Sequence, residues 1–263
     1  MRKKLGLALG SGGSRGVAHI GFLQALEEAK IRADFVSGCS MGAIVGACYC
    51  AGIPLAVLKE RALKLRLSRI ASLNVLPLKA NGLLRMNKAR QLMEEYIGDK
   101  TFDDLDIPFV CVATDLNSGR VVRLNKGNVI DAAIASSSIP GAFTPAVFDG
   151  MTLVDGGILE RVPTEELKEM GAEVVVAVDV LGDLTVKKPT GNLVDTLLRC
   201  IDIMDTRSTQ GKRRARSKIV DLWLEPDLGA MDQYKIKNLQ FAYDKGYELG
   251  KENVEKIKRL LGE

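Results

Sequence analysis

The segment of this sequence best suited to chemistry is Gly38-Cys39-Ser40-Met41-Gly42, which lies between a predicted strand at Phe35–Ser37 and a predicted helix at Met41–Ala51. A serine at a sharp strand-to-helix turn projects its oxygen out of a sheet, and the strained backbone there requires small neighbours such as Gly38 and Gly42. The start of the helix carries positive partial charge, which favours a developing oxyanion. The pattern predicts a nucleophilic Ser40, and a tight turn with an N-capping serine is the competing interpretation.

A glycine-rich segment, Gly10-Ser11-Gly12-Gly13-Ser14-Arg15-Gly16, joins a predicted strand at Leu5–Leu9 to a predicted helix at Val17–Lys30. Arg15 stands where a dinucleotide fingerprint has its third glycine, and the Gly-Lys-Ser/Thr end of a phosphate-binding loop is missing. Backbone N–H groups in such a loop can still face an oxyanion, and Arg15 adds positive charge beside them. We interpret the segment as the second half of an oxyanion hole.

A serine nucleophile needs a base, and the expected order of serine, acid and histidine fails here because the only histidine, His19, precedes Ser40. The remaining candidates are carboxylates that end predicted strands, namely Asp115, Asp155 and Asp179. Asp155 is favoured because Gly156-Gly157 leaves bare backbone beside it, although an ordinary Asp-Gly turn has the same pattern. His19 is more typical of a packed helical histidine than of a catalytic one.

Four ordered blocks of the sequence resemble those of patatin-like phospholipases, in particular the compact bacterial group related to neuropathy target esterase. The resemblance extends from Lys4 to about Val180, and the four blocks together are much more specific than any one of them. The blocks are Gly10 to Gly16, Gly38 to Gly42, Ala135-Ser136-Ser137-Ser138-Ile139-Pro140, and Asp155-Gly156-Gly157.

The resemblance implies a three-layer α/β fold with a mostly parallel central sheet and helices on both faces. It also implies a Ser–Asp dyad without histidine, in which Ser40 is the nucleophile and Asp155 the base. The reaction implied is hydrolysis of fatty-acyl esters in lipids, with neither a metal nor a cofactor. The expected oxyanion hole comprises Gly12, Gly13 and Met41, and the expected supporting residues are Gly10, Arg15, Gly38, Gly42, Pro140, Gly156 and Gly157.

Strands and helices alternate in the second half of the chain, which favours a parallel sheet covered by helices. We expect one domain over residues 1–263, because no linker or repeat interrupts the pattern. A hairpin is predicted where Asn117-Ser118-Gly119 separates two strands. The predicted elements are strands at Ile107–Thr114, Val121–Leu124, Ala146–Phe148, Leu153–Val154, Val174–Val180 and Ile219–Leu224, and helices at Val129–Ser136, Pro163–Met170, Leu193–Thr209 and within Gln233–Leu261.

The uncharged stretch from Phe35 to Leu58 is 24 residues, long enough to span a bilayer. Ser37, Ser40, the glycines and Pro54 interrupt it, which favours a buried strand, a tight turn and a buried helix. Five cysteines without a CxxC pair, together with one histidine, are a poor ligand set for zinc. Reduced-looking cysteines and a hydrophobic run too short for a signal peptide predict a cytoplasmic protein.

Charge is unevenly distributed: residues 1–90 carry a net +11, although the whole chain carries only +4. Residues 55–97, which we call the flap, are predicted as a helix that Pro54 opens, a loop at 69–86 with exposed apolar residues, and a helix at Asn87–Ile97. Between Lys59 and Arg90 the flap has nine Lys or Arg residues against one acid, Glu60. Basic and apolar residues together predict peripheral contact with an anionic membrane surface, and a solvated helix face is the alternative.

A second basic run extends from Arg207 to Lys218, but the chain has only 13 aromatic residues, so stacking on nucleic acid is disfavoured. The motifs together with the family resemblance predict a serine acyl hydrolase whose partner is a lipid or acyl-ester substrate. Two alternatives are a soluble carboxylesterase or thioesterase without membrane contact and a catalytically idle, anion-binding regulatory protein.

Overall fold

The computed structural model describes residues 2–65, 72–73, 82–183 and 193–263. The strands are β1 (Leu5–Leu9), β2 (Phe35–Cys39), β3 (Ser72–Leu73), β4 (Gly82–Arg85), β5 (Phe109–Asp115), β6 (Arg120–Leu124), β7 (Gly141–Phe143), β8 (Ala146–Phe148), β9 (Met151–Asp155), β10 (Val174–Val178) and β11 (Leu222–Leu224). The α-helices are α1 (Val17–Glu28), α2 (Met41–Cys50), α3 (Leu55–Leu63), α4 (Asn87–Ile97), α5 (Val129–Ser136), α6 (Glu165–Glu169), α7 (Leu193–Ala215) and α8 (Leu239–Leu261).

The main sheet has eight strands in the order β11-β10-β1-β2-β5-β9-β8, and β6 also pairs with β5. All pairs from β11 to β5 are parallel. β6, β8 and β9 pair antiparallel, so the sheet is mixed but mostly parallel, and the predicted fold class is confirmed. The carboxyl ends of β1 and β2 lie side by side, since Leu9 pairs with Gly38. This register brings the glycine-rich segment next to Ser40.

Alternating side chains of the central strands pack on opposite faces of the sheet, as period-two geometry requires. On β1, Leu5, Leu7 and Leu9 join the larger hydrophobic core. Ala8 instead packs with Leu167 of α6 in a smaller cluster on the other face. α1, α2 and α8 contribute to the larger core, so helices cover both faces of the sheet as predicted.

The flap contains two short strands that the sequence analysis did not predict. β3 pairs antiparallel with β4, and β4 pairs parallel with β7, which is far away in sequence. The predicted irregular loop at 69–86 is therefore wrong at residues 72–73 and 82–85, because a distant partner strand and not the local pattern determines them. The rest of that loop lies outside the described residues.

The uncharged stretch from Phe35 to Leu58 folds as β2, α2 and the start of α3. In the described parts of the chain, no helix has both the length and the apolar character needed to cross a membrane. α2 packs beside β2 and its residues are largely buried in the main core, which explains why its sequence carries no charge.

Candidate active site

Ser40 occupies a strained turn between β2 and α2. Its φ of 53° and ψ of −122° place a non-glycine residue in the left-handed half of the backbone map, which is uncommon and costly. The turn depends on bare neighbours: a Cβ at Gly42 would lie 2.1 Å from the carbonyl oxygen of Leu9, and one at Gly38 would lie 2.7 Å from the Cα of Ala43. These two glycines therefore allow the close packing on which the geometry at Ser40 depends.

Ser136, at the end of α5, fixes the turn from the side of β5. Its Oγ accepts a hydrogen bond from the Ser40 N–H at 2.9 Å and donates one to the Val112 carbonyl at 2.6 Å. Ser136 is fully buried. Our sequence analysis did not assign it a site role, and only its presence in the block that ends at Pro140 pointed to it.

Asp155 is the last residue of β9 and faces Ser40. Its N–H donates to the Ser138 carbonyl at 2.9 Å, and its Oδ1 accepts from the Gly157 N–H at 2.8 Å. Gly156 must lack a side chain, because a Cβ there would lie 2.4 Å from the Val112 carbonyl oxygen. The first bond therefore fixes the Asp155 main chain beside the end of α5, and the second fixes its carboxylate.

Burial raises the pKa of Asp155 from its ordinary 3.8 to about 6. The Ser40 side chain, the Gly157 N–H and the Cys39 thiol, whose Sγ lies 3.9 Å from Oδ1, act in the opposite direction by favouring the charged form. The raised pKa makes this carboxylate a better proton acceptor than a solvated aspartate, while leaving it mostly ionised at neutral pH.

The glycine-rich segment consists of a loop from Gly10 to Gly12 and a short helical turn at Gly13–Gly16. Its N–H groups at Gly10 and Ser11 donate to the Val178 and Arg161 carbonyls, at 2.9 Å each. The N–H groups of Gly12 and Gly13 donate to no acceptor among the described residues. This loop therefore leaves two consecutive backbone donors available for a ligand.

Both of these glycines are sterically required. A Cβ at Gly12 would lie 2.2 Å from Cγ2 of Val180, and one at Gly13 would lie 2.3 Å from the Gln233 carbonyl oxygen. Gly13 also has a φ of +50°. The third predicted donor, Met41, is the first residue of α2, so its N–H has no acceptor within the helix.

Arg15 lies in the short helical turn that follows this loop and is buried. Burial lowers the pKa of its guanidinium, and the nearby Asp179 carboxylate acts in the opposite direction. Its Nε makes no hydrogen bond within the described residues, and Arg15 is not among the residues that line the cavity at Ser40. Its contribution to the oxyanion loop stays a prediction.

His19 is packed away from the dyad. Its Nε2 donates to the Gly10 carbonyl at 2.8 Å, and burial lowers its pKa to about 4. The ring is fully buried and does not line the cavity at Ser40. A neutral histidine in this position supports the start of the glycine-rich loop, which agrees with the structural interpretation of this residue.

The opposite side of the site comes from residues that carried no signal in the sequence. They enclose a cavity of about 40 Å³ with Ser40 and Asp155. Pro140, one of the predicted supporting residues, lines this cavity beside Ile139, immediately before β7. Among the unpredicted residues around it are Leu181, Ile201, Asp202, Asp205, Gln233 and Tyr234.

A buried ion-pair network holds α7 against the site. Arg161 pairs with Asp179 at 2.6 Å and with Asp205 at 3.0 Å, and all three side chains are nearly inaccessible. Burial raises the pKa of Asp205 to about 6, against the influence of Arg161. Two residues of the second basic run, Lys212 and Arg216, pair with Glu160, so this run is partly engaged in packing α7.

The arrangement places the Ser40 hydroxyl, the Asp155 carboxylate of raised pKa and the backbone donor of Gly13 around one small cavity, whereas Gly12 and Met41 are not among the described residues that line it. These are the parts that acyl transfer needs: a nucleophile, a base and donors directed at the charge of a tetrahedral intermediate. Among the described residues no cluster of His, Cys, Asp and Glu is arranged to hold a metal ion.

The chain is similar to proteins of one described family. Residues 7–168 match the family described as patatin-like phospholipase. An uncharacterised NTE family protein of Mycobacterium bovis is 39% identical over 180 residues, which is 68% of this chain and 49% of that protein. A protein named lysophospholipase nte1 from Emericella nidulans is 27% identical over 97% of this chain but 18% of its own length. The chain thus spans half or less of the length of these relatives.

Solved structures show the same fold at low sequence identity. VipD from Legionella pneumophila superposes with a TM-score of 0.62 over 97% of this chain and 67% of its own, at 13% identity. The type III effector protein ExoU superposes with a TM-score of 0.53 over 97% of this chain and 53% of its own, at 14% identity. Since the family match covers more than half of the chain and includes both segments that meet at Ser40 and Asp155, the chain belongs to the patatin-like phospholipase family.

Proposed function

We propose that this protein is a serine acyl hydrolase that cleaves fatty-acyl esters of phospholipids or lysophospholipids through a Ser40–Asp155 dyad. The observation that carries the proposal is the set of groups near Ser40. The serine has a strained backbone, the Asp155 carboxylate that faces it has a raised pKa, and the N–H groups of Gly12 and Gly13 have no acceptor among the described residues. The family supplies the lipid substrate class, and relatives named lysophospholipase favour a single-chain phospholipid.

In the proposed reaction, Asp155 accepts the proton of the Ser40 hydroxyl as Oγ attacks the ester carbonyl. The N–H groups of Gly12, Gly13 and Met41 donate to the resulting oxyanion. Protonated Asp155 then gives its proton to the leaving alcohol, and Ser40 carries the acyl group. Asp155 next accepts a proton from water as the water oxygen attacks the acyl-enzyme. It then returns this proton to the Ser40 Oγ as the bond between Oγ and the acyl carbon breaks and the fatty acid leaves.

The strained backbone at Ser40 argues against the alternative of a catalytically idle, anion-binding protein. A backbone outlier such as Ser40 persists only where the surrounding structure enforces it, and here two glycines and Ser136 do so. An anion-binding loop alone would need neither this strain nor a buried carboxylate beside it, since a buried negative charge repels an anion.

The test combines covalent labelling with product release. Wild type should react with a fluorophosphonate and release fatty acid from lysophospholipid in excess chelator, whereas Ser40→Ala should do neither. Labelling without release from any lipid, but with turnover of soluble esters or thioesters, would support the carboxylesterase alternative. The idle-protein alternative predicts no labelling of the folded wild type.

We further propose that the protein acts at an anionic membrane surface on the cytoplasmic side, through the flap. Of the nine basic residues between Lys59 and Arg90, five have described side chains, and each of these has a partner. Lys59 lies over the Tyr243 ring, Arg61 over the Tyr96 ring, and Lys64 pairs with Glu60. The ion pairs offset charge at Lys64 and Arg90, whereas Lys59 and Arg61 keep their positive charge over neutral rings, so attraction to lipid rests on the net positive charge of the flap.

A further inference from the structure

A second cavity, of about 140 Å³, lies between α1, α2, α3 and α4. Its walls in the described part of the chain are mostly apolar. α1 and α2 contribute Ile20 and Ile44, and α3 and α4 contribute Leu58 and Met93. Cys48 lies one helical turn beyond Ile44 on the same face of α2. Several of these side chains are only half-buried, so an apolar surface is left uncovered between the four helices.

The charged residues around this cavity do not make it polar. Arg61 places its guanidinium 5.3 Å from the centre of the Tyr96 ring, and Lys64 pairs with Glu60 at 2.6 Å. Their charged ends are thus held by neighbours, while their aliphatic stems can cover apolar surface. No carboxylate is among the described residues that line the cavity. Such a lining suits a hydrocarbon chain and disfavours a charged ligand.

Met41 connects this cavity to the candidate active site. Its side chain lines the cavity, while its backbone N–H is the proposed third oxyanion donor next to Ser40. The same side chain packs on Gly16 at the end of the glycine-rich segment, where an added Cβ would lie 2.3 Å from Cγ of Met41. Methionine is flexible and unbranched, so its side chain can change position within this cavity.

The described walls of the space at Ser40 leave little enclosed room for a fatty-acyl chain. Its volume of about 40 Å³ corresponds to roughly three water molecules at about 10–15 Å³ of probe volume each. A chain esterified to Ser40 therefore needs a second space that is apolar and adjacent, and the cavity beside Met41 has both properties.

We propose that the cavity between α1, α2, α3 and α4 holds the acyl chain of the substrate, and that the Met41 side chain determines access to it. This inference rests on the proposed hydrolysis at Ser40. It assigns specificity for chain length to residues outside the dyad, with Cys48 and Leu58 in positions where a larger side chain would shorten the available space.

The test compares esters of different chain length in two variants, Cys48→Phe and Leu58→Phe. We call these the filled variants, because the larger side chain would occupy part of the cavity. The measured quantity is the ratio of kcat/KM for a twelve-carbon and a four-carbon p-nitrophenyl ester. Each buried methylene contributes roughly a factor of four, so loss of two or three should lower this ratio at least tenfold. Val147→Phe, at an exposed position on β8 away from the cavity, is the matched control and should keep the wild-type ratio.

Binding of a fluorescent fatty acid to the Ser40→Ala variant gives a readout that needs no turnover. Either filled variant, combined with Ser40→Ala, should weaken probe binding at least tenfold. Because Leu58 is only half-buried, the protein should tolerate the Leu58→Phe substitution. If the folded Leu58→Phe variant keeps both the wild-type kcat/KM ratio and the wild-type probe affinity, the inference is overturned. If the wild type hydrolyses no ester, the proposed function fails, whereas probe binding still decides the role of the cavity.

Discussion

At the residue scale, the burial of Asp155 favours its role as a base but lowers the stability of the folded protein at neutral pH. Burial raises its pKa to about 6, so ionising it in the folded protein costs free energy that ionising it in the unfolded chain does not. The same burial brings its proton affinity closer to that of a useful base. One carboxylate therefore links the pH dependence of the reaction to the pH dependence of folding.

The first prediction concerns activity against pH. Because Asp155 must be ionised to accept the Ser40 proton, kcat/KM should rise with pH and level off above about pH 6. Below that value it should fall about tenfold per pH unit. Asp205→Asn is the control, because the pKa of Asp205 is also raised to about 6 and its amide oxygen can still accept from Arg161. The fall in kcat/KM below about pH 6 should remain in the Asp205→Asn variant. Its disappearance would assign the titration to Asp205.

The second prediction concerns stability. A carboxyl group whose folded-state pKa is raised stabilises the folded protein fully below its unfolded value of 3.8, and this contribution is lost as pH rises through about 6. Above that pH the ionised Asp155 costs up to about 3 kcal/mol, from about 1.36 kcal/mol per pKa unit. Asp155→Asn should therefore raise the free energy of unfolding at pH 8 but not at pH 4, as measured by urea denaturation. Equal destabilisation at both values would contradict this account.

At the scale of elements, the turn at Ser40 is held by a contact between α2, α5 and β5. The Ser136 hydroxyl satisfies the Ser40 N–H and the Val112 carbonyl at once. Removing it leaves two buried backbone groups without this partner, which costs about 1–3 kcal/mol each when unsatisfied. The nucleophile would then lose the contact that positions its backbone.

The third prediction is that Ser136→Ala lowers kcat at least tenfold and destabilises the protein by a few kcal/mol. Ser137→Ala is the matched control, because the buried Ser137 hydroxyl donates to the Ala133 carbonyl in the α5 helix that it follows, and not to the turn at Ser40. That variant should keep activity within about threefold. Measured kcat and unfolding free energies for both variants check the prediction, and equal losses would remove the special role of Ser136.

Sequence patterns predicted the elements that are local, and missed those that depend on distant partners. β1, α4 and α5 have the predicted limits, because buried runs and helical periodicity lie within each segment. β4 was not predicted, since it depends on pairing with β7. The walls from Ile201 to Asp205 were also missed, because their approach to Ser40 depends on how α7 packs through Arg161.

At the scale of the whole molecule, a net charge of +4 hides a basic N-terminal third. Ion pairs offset some of the described charge of the flap, but its sequence carries nine Lys or Arg residues against one acid between Lys59 and Arg90, so its attraction to a membrane would depend on this net charge. Such attraction is sensitive to salt, because exposed charges are screened beyond about 8 Å at physiological ionic strength.

The fourth prediction is that binding to vesicles rises with anionic lipid content and weakens with salt. Replacing Arg66 and Arg69 together by Gln should weaken cosedimentation several-fold, at about 1 kcal/mol per basic residue near the surface. The control replaces the exposed Lys237 and Lys256, which changes the net charge equally. Equal losses in both double variants, or equal binding to neutral vesicles, would exclude a specific role of the flap.

The central claim is that Asp155, and not His19, is the base for Ser40. The most direct measurement compares turnover of one short-chain ester by folded Asp155→Asn and His19→Gln variants. Asn keeps the shape of the side chain but loses its basicity, and general-base assistance is typically worth about 10²–10⁴-fold. His19 instead donates to the Gly10 carbonyl and has its pKa lowered to about 4 by burial. We expect Asp155→Asn to be at least ten times slower than His19→Gln, and the reverse order would contradict the Ser–Asp dyad.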